Sequence, residues 1–335
     1  MLFRFNPRMW LKALNVIPRL SRDEWNELDI ISRFLVASRA AVFIMTALAA
    51  GIGGLLAWRD GFFSWKHFLA CMFGLISAHA ANNLINDLTD HYKGVDKDNY
   101  YRSLYGPQAL EHGLLTLRGM LAYIAFACVC ALACGIYASM AGGPGTWVLI
   151  TAGAFFILFY TWPLKYIGLG EPAVIVVWGP LMIGGTYYVL SGGQWTTEVL
   201  LISLVYSLGP AGVLFGKHID KLKEDKAKGI HTLPVLLGER NARFFCISLW
   251  IVQFILIGYL IFSGITGYAM AIVLPALPKL IWAVKVFNKP RPDSAPADLP
   301  AGVWPLYLSA MAFIYNKRFG ILFLLGLIID SLIPG

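Results

Sequence analysis

Apolar residues run along this chain in long stretches, broken by short polar clusters. Stretches near 20 residues have the length that carries an α-helix across a bilayer. The pattern predicts nine such helices, at about 34–57, 62–86, 119–141, 146–163, 171–190, 195–216, 244–263, 267–288 and 319–333. The fourth is short. The eighth is interrupted by Pro275 and Pro278, which membrane helices tolerate when neighbours satisfy the freed carbonyls. The expected fold is an all-α integral membrane bundle. It divides into an N-terminal segment over 1–30 and a single transmembrane domain over 31–335, with polar loops at 87–118 and 217–243.

Composition supports the membrane reading. Of 335 residues 58% are hydrophobic and 14% charged, with a mean hydropathy of +0.65. A water-soluble or disordered chain does not have this balance. The net charge of +8 is a matter of placement rather than of nucleic-acid binding. With nine spans, 24 of the 27 Lys and Arg residues fall on one side. Arg59 and Lys66 fall on the other, and Arg39 lies inside the first predicted helix. The crowded side includes Lys279, Lys285, Lys317 and Arg318, counted with the flank before the last helix. Such a bias places the N-terminus and the 87–118 and 217–243 loops in the cytoplasm of a cell with this protein in its inner membrane.

The N-terminal segment lacks an apolar run long enough for a signal peptide. Leu2, Phe3, Phe5, Trp10, Leu11, Leu14 and Ile17, mixed with basic residues, suit an amphipathic helix on the inner leaflet or a tail packed over the cytoplasmic loops. The five cysteines lie in apolar stretches with no metal-ligand spacing, and read as small buried hydrophobes.

Polar residues are scarce, so their clustering carries information. Asn82-Asn83-x-x-Asn86-Asp87-x-x-Asp90 ends the second helix, and Lys93-Gly94-x-Asp96-x-Asp98 follows. Asn83, Asn86, Asp87 and Asp90 recur at steps of three and four and share one helix face. Gly94 permits a turn beyond it. The second cluster, Lys217-His218-x-Asp220-x-x-x-Glu224-Asp225 with Lys228-Gly229, lies four helices later on the same side. This spacing suggests two four-helix repeats. Facing carboxylates repel unless cations intervene. Their oxygens suit Mg²⁺, which favours few protein ligands plus substrate phosphates. The interleaved lysines and arginines, Lys93 among them, suit a diphosphate. An isoprenyl diphosphate has that polar head and an apolar body.

The motif Asn86-Asp87-Leu-Thr-Asp90…Lys93-Gly94-Val-Asp96 resembles the first aspartate-rich motif of the UbiA superfamily of intramembrane prenyltransferases. Asp220…Asp225-Lys-Ala-Lys-Gly229-Ile-His-Thr232-Leu233 resembles the second. Tyr105-Gly106-Pro107 and Gly168-Leu-Gly170-Glu171-Pro…Tyr187-Tyr188 look like the branch that prenylates 1,4-dihydroxy-2-naphthoate in menaquinone synthesis. The resemblance implies a helical bundle around a central cavity, Mg²⁺ dependence, and transfer of an isoprenyl group to an aromatic or lipid acceptor among membrane lipids. It also implies roles. Asn86, Asp87, Asp90 and Asp220 match metal–diphosphate positions, with Glu224 or Asp225 completing the set. Arg39, Lys93, Arg102, Tyr160 and Lys165 match positions near the substrate, and Asp96 matches an acid of the metal or of acceptor deprotonation. Lys217 and His218 stand where the branch has Asn-x-Arg before the aspartate. They are candidate catalytic groups, His218 as a base or as a cap of the helix C-terminus. Tyr187 and Tyr188 suit an aromatic belt better than acceptor contacts. The second motif spaces its acids five apart instead of four. Either Glu224 takes the metal role or the helix end is distorted by one residue. A terpene cyclase of the same fold and a membrane transporter are the competing readings. Transporters place polar residues near the midplane, whereas these acids lie at helix ends.

Overall fold

The computed structural model describes residues 5–95, 108–297, 299 and 303–333. These residues form helices and connecting turns, with no strand among them. Three short helices come first: α1 (Pro7–Asn15), α2 (Arg22–Asn26) and α3 (Ile30–Ala37). The long apolar helices are α4 (Ala40–Arg59), α5 (Trp65–Tyr92), α6 (Leu117–Gly142), α8 (Gly170–Leu190), α9 (Thr197–Asp220), α12 (Glu239–Phe262), α13 (Tyr268–Phe287) and α14 (Tyr307–Leu332). Between α6 and α8 lies α7 (Gly145–Phe159), apolar but shorter. Two short helices, α10 (Leu222–Ala227) and α11 (Leu233–Leu237), follow α9. Among the described residues, eight helices are therefore long and apolar enough to cross a membrane, and the chain is an integral membrane protein.

The core surrounds α9, which packs on α8, α12 and α14. Tyr206 and Phe215 of α9, Trp250 of α12 and Phe319 of α14 are buried there. Gly216 is what lets α14 start so close to α9. A Cβ at that position would come within 2.8 Å of the Leu308 carbonyl oxygen and the Ser309 nitrogen. Thr116 and Thr196 cap α6 and α9 through side-chain oxygens that accept from Gly119 and Val199. Within α8 the backbone widens to a π-helix over Val177–Gly184 around Pro180, which lacks an N–H and crowds the preceding turn.

Several predicted boundaries shift. The last helix begins at Tyr307, not near 319. Lys317 and Arg318 depress the local hydropathy and hide its first half, although both lie inside the helix. Lys279 and Lys285 likewise lie inside α13. The charge bias is thus smaller than the raw count, with the same sign. The first predicted helix is broken at Arg39, whose φ of 57° is left-handed, a conformation uncommon for a residue with a Cβ. The second helix continues six residues past its predicted end, to Tyr92, and Gly94 makes the turn with φ 68°. Tyr187 is not in an aromatic belt. It is buried, and its hydroxyl donates to Asp60 Oδ2 at 2.8 Å. All five cysteines are free thiols.

The N-terminal segment packs against the bundle through one face. Met9 and Ala13 of α1 are buried in a cluster with Trp25, Val36 and Leu84, while Phe5, Leu11 and Leu14 are exposed. Asp29 fastens this segment. It caps α3 by accepting from the Ile31 and Ser32 nitrogens at 3.0 Å, and it accepts from Trp10 Nε1 at 3.1 Å. Partial burial raises its carboxyl pKa, but the hydrogen bonds from Ser32, Trp10 and Ile31 outweigh it and hold the pKa below the usual value. A depressed carboxyl stabilises above the unfolded pKa of about 4, and that stabilisation disappears as pH falls through the folded value. Hydrogen exchange of residues 7–16 should therefore accelerate selectively on acidification below about pH 4. Asp29→Asn should show the faster exchange already at neutral pH.

Candidate active site

At one end of the bundle, called here the acidic end, the C-terminal turns of α5 and α9 meet the starts of α4 and α14. Leaving polar side chains unsatisfied at this depth is costly, so partners are expected for most of them. Asn83, Asn86, Asp87 and Asp90 are all buried on the one face of α5 that their spacing indicates. The Arg39 guanidinium pairs with Asp87 and also donates to the Asn83 carbonyl at 3.4 Å. Asn83 Nδ2 in turn donates to the Ser38 carbonyl at 2.9 Å. These contacts account for the left-handed break between α3 and α4: it brings Arg39 over the end of α5. Asp90 accepts from Lys165 Nζ at 2.7 Å, with both side chains buried.

The second cluster is built the same way. Asp220, the last residue of α9, is buried. It accepts the Leu308 N–H on one oxygen and the Ser309 N–H on the other, each at 3.0 Å, so it caps the start of α14. Arg291 Nε lies 3.3 Å away. The helix breaks at Lys221, and α10 begins at Leu222. Asp225 is buried and pairs with Lys221 at 3.3 Å, whereas Glu224 is only half-buried. The helix end is distorted by one residue, and Asp225 is the acid turned inward.

The two clusters belong to one site. Lys217 and Lys221 are within electrostatic reach of Asp90. Lys228 Nζ donates to the Gly94 and Val95 carbonyls, joining the loop after α5 to the loop after α10. Beneath them lies a cavity of about 900 Å³, with Arg39, Asn86, Tyr160 and Lys217 at its acidic end. Its walls are mostly apolar or small, among them Met45, Ala78, Phe156, Trp178 and Ile314. The Asn86 Oδ1 atom is buried without a hydrogen-bond partner. Asn15, Val16 and Ile17 from the N-terminal segment also reach the cavity wall.

Not every predicted residue converges. His218 is buried but is not on the cavity wall. Its Nδ1 lies 2.7 Å from Glu171 Oε1, tying α9 to the start of α8. Lys93 is exposed and stacks over the Trp162 ring at 4.7 Å. Asp96 and Arg102 lie outside the described residues. Among the described residues no three His, Cys, Asp or Glu side chains form a ready metal cluster. The carboxylates are held apart by their basic partners.

Sequence reasoning missed three contributors. Arg291 looked like a loop charge. Glu171 was noted only as part of a motif. His79 lines the cavity with Nδ1 2.8 Å from Thr46 Oγ1 and its ring edge-on to Trp178. A signal for His79 existed, because it precedes Asn82, Asn83 and Asn86 by three, four and seven residues on the same helix face.

Comparison with known proteins agrees with this geometry. UbiA prenyltransferase domain-containing protein 1 of Mus musculus is 25% identical over 269 residues, covering 76% of this chain and 78% of its own. The 1,4-dihydroxy-2-naphthoate octaprenyltransferase of Haemophilus influenzae is 26% identical over 269 residues, covering 77% and 83%. A UbiA homologue from Aeropyrum pernix K1 superposes with a TM-score of 0.65 at 18% identity, over 86% of this chain and 97% of its own. Another, from Archaeoglobus fulgidus and bound to DMAPP and Mg²⁺, gives 0.57 at 13% identity over 87% and 98%. At these identities the superpositions speak for the fold. Residues 43–316 match the profile of the UbiA prenyltransferase family. That match runs from α4 into α14 and takes in both acidic clusters, so the chain belongs to the UbiA prenyltransferase family.

Proposed function

We propose that this protein transfers an isoprenyl group from an isoprenyl diphosphate to an aromatic acceptor of the quinone-precursor kind, with Mg²⁺, at the acidic end of the bundle. The observation that carries the reading is the pairing of four buried carboxylates with buried or partly buried cations, next to an apolar cavity that Arg39, Asn86 and Lys217 line. A metal-bound diphosphate needs both signs of charge, and an isoprenyl chain needs the apolar volume. The relatives named above point the same way, one acting on a dihydroxynaphthoate and one solved with DMAPP and Mg²⁺. The Lys/Arg bias supports a cytoplasmic acidic end, and we assign the protein to the inner membrane.

The donor set fits the ion. Asn86 offers a buried oxygen with no other partner, and Asp87, Asp90, Asp220 and Asp225 offer carboxylates, the hard ligands that Mg²⁺ prefers. Asp96 joins them by resemblance, and Glu224 stands beside them. Bound there, Mg²⁺ would neutralise diphosphate oxygens and favour their departure. The chain's own cations do the rest of the electrostatic work. Arg39, Lys165 and Lys217 would turn from the carboxylates toward the phosphate oxygens. The bond between the allylic carbon and oxygen then breaks, and its electron pair leaves with the diphosphate. The allylic cation forms beside Tyr160, Phe156 and Trp178, whose ring faces stabilise positive charge. An acceptor ring carbon forms the new bond and loses its proton. His79, held by Thr46, is an imidazole on the wall of the same cavity. His218 is assigned to positioning α9 through Glu171, not to chemistry.

The first test is diphosphate release by the full chain in bilayer nanodiscs, with geranylgeranyl diphosphate and Mg²⁺, with and without 1,4-dihydroxy-2-naphthoate. Release that needs the acceptor and stops on chelation is expected. Release with no acceptor would replace this reading with a cyclase, and none with any phenolic acceptor would remove it. Asp90→Asn should slow release about 100-fold or more, equivalent to roughly 2.7 kcal/mol of barrier. Asp220→Asn should lose activity and also lower Tm, since weakening a helix cap costs about 0.5–2 kcal/mol. His218→Leu should lower Tm by stranding Glu171, while kcat of the folded enzyme stays within about tenfold, a barrier change of roughly 1.4 kcal/mol.

A further inference from the structure

Lys317 and Arg318 sit near the middle of α14, and both are exposed. Their level in the bundle follows from their neighbours. Asn316 packs on Gly209, close to the midpoint of α9, and Gly320 packs against Tyr206 and Leu48. Lys317 is nine residues, or roughly 14 Å, from Leu308 at the acidic end. Neither side chain makes an ion pair, hydrogen bond or ring contact with a described residue. Lys279, also inside a spanning helix, differs: it lies over the Trp282 ring at 4.9 Å. Cations at membrane depth are expensive unless something neutralises them, and they mark functional sites by default.

Their position on the helix shows what they serve. Leu306, Ala310, Phe313 and Ile314 line the cavity. The same face continues, at helical spacing, to the exposed Ile321, Leu325 and Ile328. Lys317 and Arg318 stand where the face changes from cavity wall to lipid-facing surface. On the neighbouring helix Val42 and Met45 line the cavity, and α4 closes onto α14 at Leu48 and Gly320. The doublet therefore stands on the exposed side of α14, one turn past its last cavity-lining residues.

We infer that Lys317 and Arg318 dock the carboxylate of a membrane-dissolved aromatic acceptor as it passes from the bilayer into the cavity. The inference rests on the transfer reaction proposed above. The charge pattern selects a carboxylate. A diphosphate site combines cations with acids for its metal, as the acidic end does, and α14 carries no acid near the doublet. Two adjacent cations without acids suit a single monoanion, which the planar guanidinium can hold through two parallel hydrogen bonds. A phospholipid phosphate is tethered at the membrane surface, whereas a small aromatic acid can reach this depth.

The test uses the full chain in nanodiscs of neutral phosphatidylcholine, with 1-hydroxy-2-naphthoate and 1-naphthol as fluorescent probes that need no turnover. Wild type should bind the naphthoate at least about tenfold tighter than the naphthol, a difference of roughly 1.4 kcal/mol. Lys317→Gln/Arg318→Gln should abolish that preference, and Lys279→Gln should keep it. Turnover gives a second readout. In the doublet variant the apparent KM for 1,4-dihydroxy-2-naphthoate should rise about tenfold relative to that for 1,4-dihydroxynaphthalene, the same 1.4 kcal/mol. An unchanged preference in the doublet variant overturns the inference. So does displacement of the naphthoate by added phosphatidylglycerol, which would make the doublet a lipid-headgroup site. Doublet-dependent naphthoate binding without turnover of either acceptor would uphold the dock and overturn the proposed reaction instead.

Discussion

A carboxylate at the end of a bilayer-spanning helix is tolerable only if a cation or a set of backbone donors neutralises it, and the acidic end of this protein is organised around that requirement. Asp87 has Arg39, Asp90 has Lys165, Asp225 has Lys221, and Asp220 has Arg291 together with two backbone N–H groups. Each pairing dictates something about the backbone. Arg39 reaches Asp87 only through a left-handed residue between two helices. Asp220 reaches the first turn of α14 only because Gly216 has no side chain to hold that turn away. The chain thus spends local strain and a glycine to keep its acids neutralised. In the reaction proposed above, an arriving metal and diphosphate would exchange partners with charges already in place.

The helices were legible because hydropathy over about 20 residues reflects the solvent itself, which in a bilayer constrains every span alike. The shared face of Asn83, Asn86, Asp87 and Asp90 was legible for a similarly local reason: helical spacing alone puts them together. What could not be read depended on partners distant in sequence. The break at Arg39 is encoded by Asp87, 48 residues later. The role of Arg291 depends on Asp220, 71 residues away. The first half of α14 was hidden because Lys317 and Arg318 oppose the apolar signal. His218 likewise depends on a distant partner. It lies beside an acidic motif, and its ring pairs with Glu171 across the bundle, 47 residues earlier.

The cavity and the acidic end divide the work between them. The acidic end is polar, paired and built from helix termini, whose positions are fixed by caps and charge pairs. The cavity is built from helix interiors, where small residues leave space instead of contacts. His79 bridges the two, since it belongs to the motif-bearing face of α5 but sits among Trp178 and Phe43. The hydrophilic chemistry therefore need not be carried into the apolar part of the site, and an isoprenyl chain can occupy it without displacing charged groups.

The pairing has a consequence for how the protein comes to be in the membrane at all. Arg39, Asp87, Asp90 and Lys165 all precede Gly170, where α8 begins. Asp220, Lys221, Asp225 and Arg291 all follow it. Each of these four buried aspartates pairs with a cation in its own half of the chain. A ribosome delivers the first half before the second exists, and that half already carries the charges that neutralise its own aspartates. Insertion can therefore proceed in order, each half entering the bilayer electrically settled, and the clasp of Lys228 on Gly94 and Val95 joins them afterwards.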